Sequence, residues 1–360
     1  MEYRSLGTSG IEISAISLGT EYLLAASVEE TEATVAAAIS GGVNYFDLFY
    51  AQPEFRDRLG AVLEPYRERI MLAAHYGAGE KNGQYERTRD PGRSEAYFAD
   101  FLKRYRTDHT DVLFCHNCDE MSDLEAMLAP GGLCDAIEAH RDAGRARLVG
   151  FSGHTAATAA AAVETGRFDL LMFPVNVTTH GDPEAEALYD LCLARNVPIV
   201  AMKPYAGGSL VGQDMQIAYE ERVASPAGAG AGSAAVRCLA YALSRPGVVA
   251  VVPGCASPEH VADALSWCAA DGLARDFSAL LEEHAGTARG QCTYCNHCLP
   301  CPSEIDIGSA LRFYDTHRTA LSGAPAEVAE CIRCGICTRR CPFEVDVVPR
   351  MVEMQVAGGA

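Results

Sequence analysis

Between residues 292 and 341 the chain carries eight of its 15 cysteines in two runs. The first is Cys292-x2-Cys295-x2-Cys298-x2-Cys301-Pro302, the second Cys331-x2-Cys334-x2-Cys337-x3-Cys341-Pro342. Thiols this dense are cross-linked or ligated to metal, and each outcome restricts the fold. Disulfides need an oxidising compartment. Met1-Glu2-Tyr3-Arg4 does not begin a signal peptide, so a cytoplasmic location and metal ligation are expected.

Three thiolates at two-residue gaps bind three irons of one cubane, and the fourth Cys, followed by Pro, reaches the other cluster, as in two-cluster ferredoxins. This spacing predicts two [4Fe–4S] clusters. Cys292, Cys295, Cys298 and Cys341 hold the first; Cys331, Cys334, Cys337 and Cys301 hold the second. Tetrahedral zinc is the rival ligand, but it favours two separated Cys pairs over quartets that each end in Cys-Pro. Cys134, Cys192, Cys238, Cys255 and Cys268 stand in apolar stretches as small hydrophobes. Cys115 and Cys118, flanking His116, are read mainly as packing and only secondarily as metal ligands.

Forty-eight acidic against 29 basic residues give a formal charge of −19. A surface so acidic repels phosphate backbones and anionic lipid, which argues against nucleic acid and membrane as partners. No apolar run reaches the roughly 18 residues of a membrane helix.

Ahead of the cysteines, short apolar runs alternate with amphipathic stretches, the pattern of βα units around a parallel sheet. Tyr3–Leu6 and Ile11–Ser14 around Gly-Thr-Ser-Gly predict a leading hairpin. Eight strands are expected at 15–18, 45–47, 70–74, 112–115, 148–151, 170–174, 198–202 and 248–252, with helices at 29–40, 94–105, 135–143 and 185–194. Eight repeats suggest a (β/α)8 TIM barrel over 1–285, followed by an α-rich dicluster domain of the ferredoxin type over 286–360. No G-x-G-x-x-G follows the first strand, which weakens the open doubly wound alternative. The Ala/Gly-rich stretch Ala224–Gly232 reads as a loop within the barrel.

Catalytic groups of such barrels stand at the C-terminal ends of the strands. Those positions here hold Glu21, Asp47, His75, His116, His154, Asn176, His180 and Lys203. Arg87, Arg89 and Asp90 fall in a polar loop after the third strand, where the two arginines either grip a substrate carboxylate or make internal ion pairs.

Leu6-Gly7, Ser17-Leu-Gly-Thr20, Asn44-Tyr-Phe-Asp47, Leu59-Gly60 and Asp111-Val-Leu-Phe-Cys-His116 resemble an aldo/keto reductase. With Asn82–Asp90, Gly150-Phe-Ser-Gly-His154, Met202-Lys-Pro-Tyr-Ala-Gly-Gly208, Val252-Pro-Gly254 and both cysteine runs, the chain is similar to the branch with a C-terminal two-cluster ferredoxin domain. The resemblance implies an Asp/Tyr/Lys/His tetrad. Asp47 and His116 match it, but Gln52 takes the Tyr position and His75 the Lys position, leaving Tyr50 as a nearby phenol. A phenol near pKa 10 needs the lysine, whereas an imidazolium near 6.5 donates unaided. His116 or His75 is therefore the expected proton donor, oriented by Asp47. The resemblance also implies NAD(P)H, with its carboxamide near Ser152, His154 and Asn176, Lys203 in a structural or cofactor role, phosphates at Gly207 and Gly208, and adenosine by Gly254 and Ser257. Glu259 and Asp263, with no Arg or Lys in 255–259, favour NAD(H) over NADP(H).

The expected function is an iron–sulfur oxidoreductase that reduces or oxidises a small carbonyl compound, with a ferredoxin, flavodoxin or other electron carrier as partner. A hydride donor and one-electron clusters lack an obvious converter, so a flavin stays open. The alternatives are a lyase or hydrolase using a divalent metal on the His-rich rim, and an electron carrier without a substrate of its own.

Overall fold

The computed structural model describes residues 1–211, 233–318 and 320–358; the expected loop Ala224–Gly232 lies outside them. Strands β1 (Tyr3–Ser5) and β2 (Glu12–Ser14) pair antiparallel as the leading hairpin. Strands β3 (Leu18–Gly19), β4 (Tyr45–Leu48) and β5 (Met71–Tyr76) follow. An inserted antiparallel hairpin comes next, β6 (Ala78–Lys81) with β7 (Gln84–Arg87). Then come β8 (Thr110–Cys115), β9 (Ala146–Ser152), β10 (Leu170–Pro174), β11 (Ile199–Met202) and β12 (Val248–Val252). Eight of these form one parallel sheet in the order β12-β11-β10-β9-β8-β5-β4-β3. Parallel bridges from Ile16 to Val251 and from Gly19 to Gly254 draw its edges together into a nearly closed (β/α)8 barrel.

The strand period of two sorts each strand into an inner and an outer row. Tyr45, Met71, Ala73, Val112, Phe114, Leu148, Leu170, Met172, Val200, Ala250 and Val252 fill the interior, floored by Leu6 and Ile13 of the hairpin. Leu72, Ala74, Leu113, Cys115, Val149 and Phe151 face the helices. Continued upward, the inner row brings Asp47, His75, His116 and Ser152 to the mouth. Gly150 is glycine because a Cβ there would stand 2.4 Å from the Phe114 ring.

The helices begin at built caps. Ser27 and Glu30 form a capping box for Val28–Ser40, and Asp90, Asp182 and Ser257 each accept a backbone N–H ahead of a proline in the first turn. The polar loop expected after the third strand is instead the β6–β7 hairpin. Its run Gln84-Tyr-Glu-Arg87 buries Tyr85 and Glu86 between half-buried Gln84 and Arg87, and Tyr97 packs under Gly79.

The tail carries helices Ile307–Thr316, Ile336–Arg340 and Val347–Gly358. Its Leu299, Ile305, Ile307, Leu311, Val347 and Met351 belong to the same apolar cluster as the outer barrel core. Gln84 on the hairpin accepts from the Cys301 N–H at 3.0 Å and donates to its carbonyl at 3.4 Å. Among the described residues, no helix is long and apolar enough to cross a membrane.

Gly60 lies in helix Pro53–Leu63, where an added Cβ would come within 2.2 Å of the Arg104 carbonyl oxygen. That neighbour is backbone, so the helices must part. Gly60→Ala should cost about 1–3 kcal/mol and lower Tm by several degrees in calorimetry; an unchanged Tm would contradict this packing.

Candidate active site at the barrel mouth

A cavity of about 50 Å³, room for about four water molecules, opens at the C-terminal ends of the strands. Asp47, His75, His116, Ser152, His154, Lys203 and Gly254 line it, with Glu21, Phe49 and Asn117. Two further lining residues, Cys295 and His297, come from the tail. The tail therefore roofs the barrel's catalytic end.

Four groups form one hydrogen-bonded chain. His75 Nε2 is 2.8 Å from Asp47 Oδ1, His75 Nδ1 is 2.9 Å from His116 Nδ1, and His116 Nε2 is 2.5 Å from the Tyr85 hydroxyl. With Tyr85 O–H as first donor, every bond runs the same way: Tyr85 to His116, His116 to His75, His75 to Asp47. Burial, then the charge of neighbouring His75, holds His116 well below the usual imidazole range. Burial pushes the Tyr85 phenol up, so it keeps its proton. Asp47 thus orients His75 directly and His116 only through it. Every ring nitrogen of the two histidines has a partner.

His154 differs. Its Nδ1 stands 3.1 Å from Asn117 Oδ1 and 3.3 Å from Asp119 Oδ1, while its Nε2 is buried without a partner. Burial lowers its pKa, and Asp119 opposes that shift. The Asp119 carboxyl is held below its usual range by His154, against the effect of burial. A neutral imidazole with Nδ1 fixed on a carboxylate leaves Nε2 to the cavity. The Asn117 Nδ2 is likewise buried and unpartnered. Lys203, at φ 56°, takes a left-handed backbone anchored by the Asn176 amide on its carbonyl at 2.9 Å. Glu21 lies opposite, its carboxyl raised by burial and drawn back by Lys203.

Other sequence candidates lie elsewhere. Tyr50 stacks on Phe49 with centroids 4.2 Å apart and faces a second cavity of about 360 Å³, between barrel and tail, that shares Glu21 with the first. Arg89 is bound to Asp123 and to the carbonyls of His116 and Asn117; Arg87 donates to Asn117 and neighbours Asp119. Both arginines serve internal pairing and line no part of the small cavity. His180 meets Tyr241, away from it. Cys115 approaches Cys134 at 3.8 Å, and Cys118 donates to the Glu120 carbonyl. Tyr85, Asp119 and His297 escaped the sequence reading. Two of the three carried a signal: Asp119 is a carboxylate three residues after His116, and His297 is a histidine inside the first cysteine run.

In the tail, Cys292, Cys295, Cys298 and Cys341 border one apolar cavity. Cys301, Cys331, Cys334 and Cys337, with Cys298, border another. Among the described residues, no group of three or more His, Cys, Asp or Glu is placed to hold a single metal ion, in the tail or on the rim. The rim-metal alternative for a lyase or hydrolase thus lacks a ligand set among them. His297 Nδ1 lies 2.8 Å from Cys295 Sγ, and its ring packs against His154 at 4.4 Å.

A family model described as the aldo/keto reductase family matches residues 15–285. The chain belongs to that family. It is 28% identical over 161 residues to the aldo-keto reductase YhdN of Bacillus subtilis, covering 42% of this chain and 47% of that protein. It is 26% identical to L-galactose dehydrogenase of Arabidopsis thaliana, again over 161 residues, covering 42% of this chain and 49% of that one. The match thus spans about half the length of these relatives. A solved aldo-keto reductase from Bacillus halodurans, in its holo form, superposes with a TM-score of 0.62 at 20% identity, covering 79% of this chain and 95% of that one.

The family ordinarily uses NAD(P)H, so a nicotinamide is the plausible cofactor. Of the residues expected to hold it, Ser152, Lys203 and Gly254 stand in the cavity wall. The phosphate positions are less open: at Gly207 an added Cβ would stand 2.7 Å from Thr293 Cα of the tail. Asn176 is engaged with Lys203 and Thr178, and Ser257 caps a helix. The small cavity alone, with space for about four waters, holds less than a dinucleotide, and the cavity of about 360 Å³ adjoins it at Glu21.

Buried neutral histidines make stability pH-dependent. For His116 and His154, whose folded pKa values are depressed, the contribution is complete above about pH 6.5, the ordinary imidazole value. It is lost as pH falls from there toward the folded values, because only the unfolded chain then takes up protons. Each site contributes a slope of up to about 1.4 kcal/mol per pH unit. Denaturant titrations should show stability falling from pH 6.5 to 5.5 and less steeply in His154→Gln; equal slopes in the two proteins would contradict the burial argument.

Proposed function

We propose that this protein reduces a small carbonyl compound at the barrel mouth with electrons delivered singly through two [4Fe–4S] clusters held by the tail. The observation that carries this reading is Cys295, whose residue lines both the catalytic cavity and the first four-cysteine cavity. Cys298 in turn borders both tail cavities. An unbroken succession therefore leads from the second quartet to the first and on to the histidines.

The donor set fits cubanes. Thiols that surround a volume suit four irons spread over the corners of a cube, whereas a zinc ion needs its thiolates gathered at about 2.3 Å. Cys292, Cys295, Cys298 and Cys341 would hold the first cluster, and Cys301, Cys331, Cys334 and Cys337 the second. Residues 1–285 form the barrel domain in this reading and 286–360 the cluster domain. When bound, such clusters supply one-electron transfer at low potential.

The remaining chemistry belongs to the barrel. Lys203 and the Asn117 amide orient the carbonyl oxygen, and Asp119 holds His154 so that Nε2 exchanges a proton with it. Asp47, His75 and His116, backed by Tyr85, form a fixed polar wall. The tight roof of Cys295 and His297 excludes water and limits the substrate to a few heavy atoms.

The test uses anoxically prepared protein, reduced with dithionite, freed of excess reductant and mixed with 2,3-butanedione. The cluster absorption should return as the hydroxyketone forms. His154→Gln and Asp119→Asn should slow both by about 10²-fold or more while Tm stays near wild type. Reduction that requires added NADH and leaves the cluster spectrum unchanged would reject the reading.

A further inference from the structure

The two cysteine quartets differ in exposure and in charge. Cys334 is exposed, whereas Cys292, Cys295, Cys298 and Cys341 are all at least partly covered. Next to Cys334, Ile332 is 66% exposed, a large apolar side chain left in solvent. The first run, 292–301, contains no charged residue; the second, 331–341, contains Arg333, Arg339 and Arg340 and no acid. This lies in a chain whose formal charge is −19.

The three guanidiniums are not used up by carboxylates. Arg333 donates to the Gln355 side chain at 2.9 Å, Arg339 to the Cys334 carbonyl at 3.4 Å and Arg340 to the Pro300 carbonyl at 3.1 Å. Among the described residues none of them forms an ion pair, although Arg56, Arg67, Arg89, Arg104 and Arg167 all do. Each keeps its full charge while neutral acceptors hold it beside the second quartet.

We propose that the face formed by Ile332, Arg333, Cys334, Arg339 and Arg340 is the docking surface for an acidic one-electron carrier protein. This rests on reading the tail as an electron conduit. A basic spot on a body of net negative charge favours the approach of an acidic partner at that spot, which selects orientation as well as rate. Ile332 gives the encounter an apolar centre, and Cys334 puts the second quartet where transfer needs the shortest gap. At each docking the carrier is oxidised by one electron. A carbonyl taken to an alcohol consumes two electrons and two protons, so two carriers dock in turn for each substrate.

The experiment measures the bleaching of anoxically prepared holoprotein by an acidic flavodoxin in its hydroquinone form, in a stopped-flow instrument at low and high salt. Wild type should react quickly at low salt and slow steeply as salt rises. Arg333→Glu/Arg339→Glu should lower the low-salt rate constant about tenfold or more and flatten the salt dependence. Arg195→Glu, one such charge reversal on an exposed barrel helix and the match for Arg339→Glu alone, should stay within about twofold. Bleaching by dithionite should be equal in all three. If the double variant loses iron, Arg339→Glu alone, which gives up one hydrogen bond to the Cys334 carbonyl, is judged by the same criteria. Equal slowing in Arg195→Glu and the Arg333/Arg339 variants, or a wild-type rate indifferent to salt, overturns the docking face. A protein without iron and sulfide overturns instead the reading of the tail on which it rests.

Discussion

The placement of the tail on the barrel mouth governs the rest of this structure. In a (β/α)8 barrel the catalytic end is an open ring of loops. Here Cys295 and His297 descend into that ring and leave a cavity of about 50 Å³. One contact sets the size of the cavity and brings Cys295 and His297 to the same wall as His116 and His154. The contact is well supported, by a shared apolar core, by Gln84 gripping both backbone groups of Cys301, and by the close approach of Thr293 to Gly207.

Within the cavity, polar groups divide into those that have partners and those that wait for one. The chain Tyr85–His116–His75–Asp47 is closed on itself, each nitrogen engaged. Such a network rigidifies a wall at small cost because every buried group is satisfied. His154 and Asn117 are the opposite case, each with a buried atom lacking a protein partner. Leaving such an atom unpaired costs on the order of 1–3 kcal/mol, and both residues border the cavity. That contrast directs attention from the expected donors, His75 and His116, to His154.

The barrel was legible because its signals are local and repeated. Short apolar runs marked the eight strands to within a few residues, and their C-terminal ends already placed Asp47, His75 and His116 at the mouth. The hairpin Ala78–Arg87 was not legible as strands, since its polar, Gly-containing sequence lacks an apolar face of its own and borrows Tyr97 from a helix. The Tyr85–His116 bond joins residues 31 apart and the His154–Asp119 pair residues 35 apart, separations no periodicity encodes. Arg87 and Arg89 looked like substrate grips because sequence lists charges without their partners; the backbone carbonyls they bind appear only on folding. The cysteine runs, read from consecutive residues, do come together as the borders of two cavities.

The account stands on thiols that enclose two adjoining volumes sharing Cys298. Low-temperature EPR of the dithionite-reduced, anoxically prepared protein tests it most directly. Two reduced cubanes this close should give a broadened spectrum in which the paired spins interact. An EPR-silent sample, or one isolated and uncoupled signal, would contradict the account.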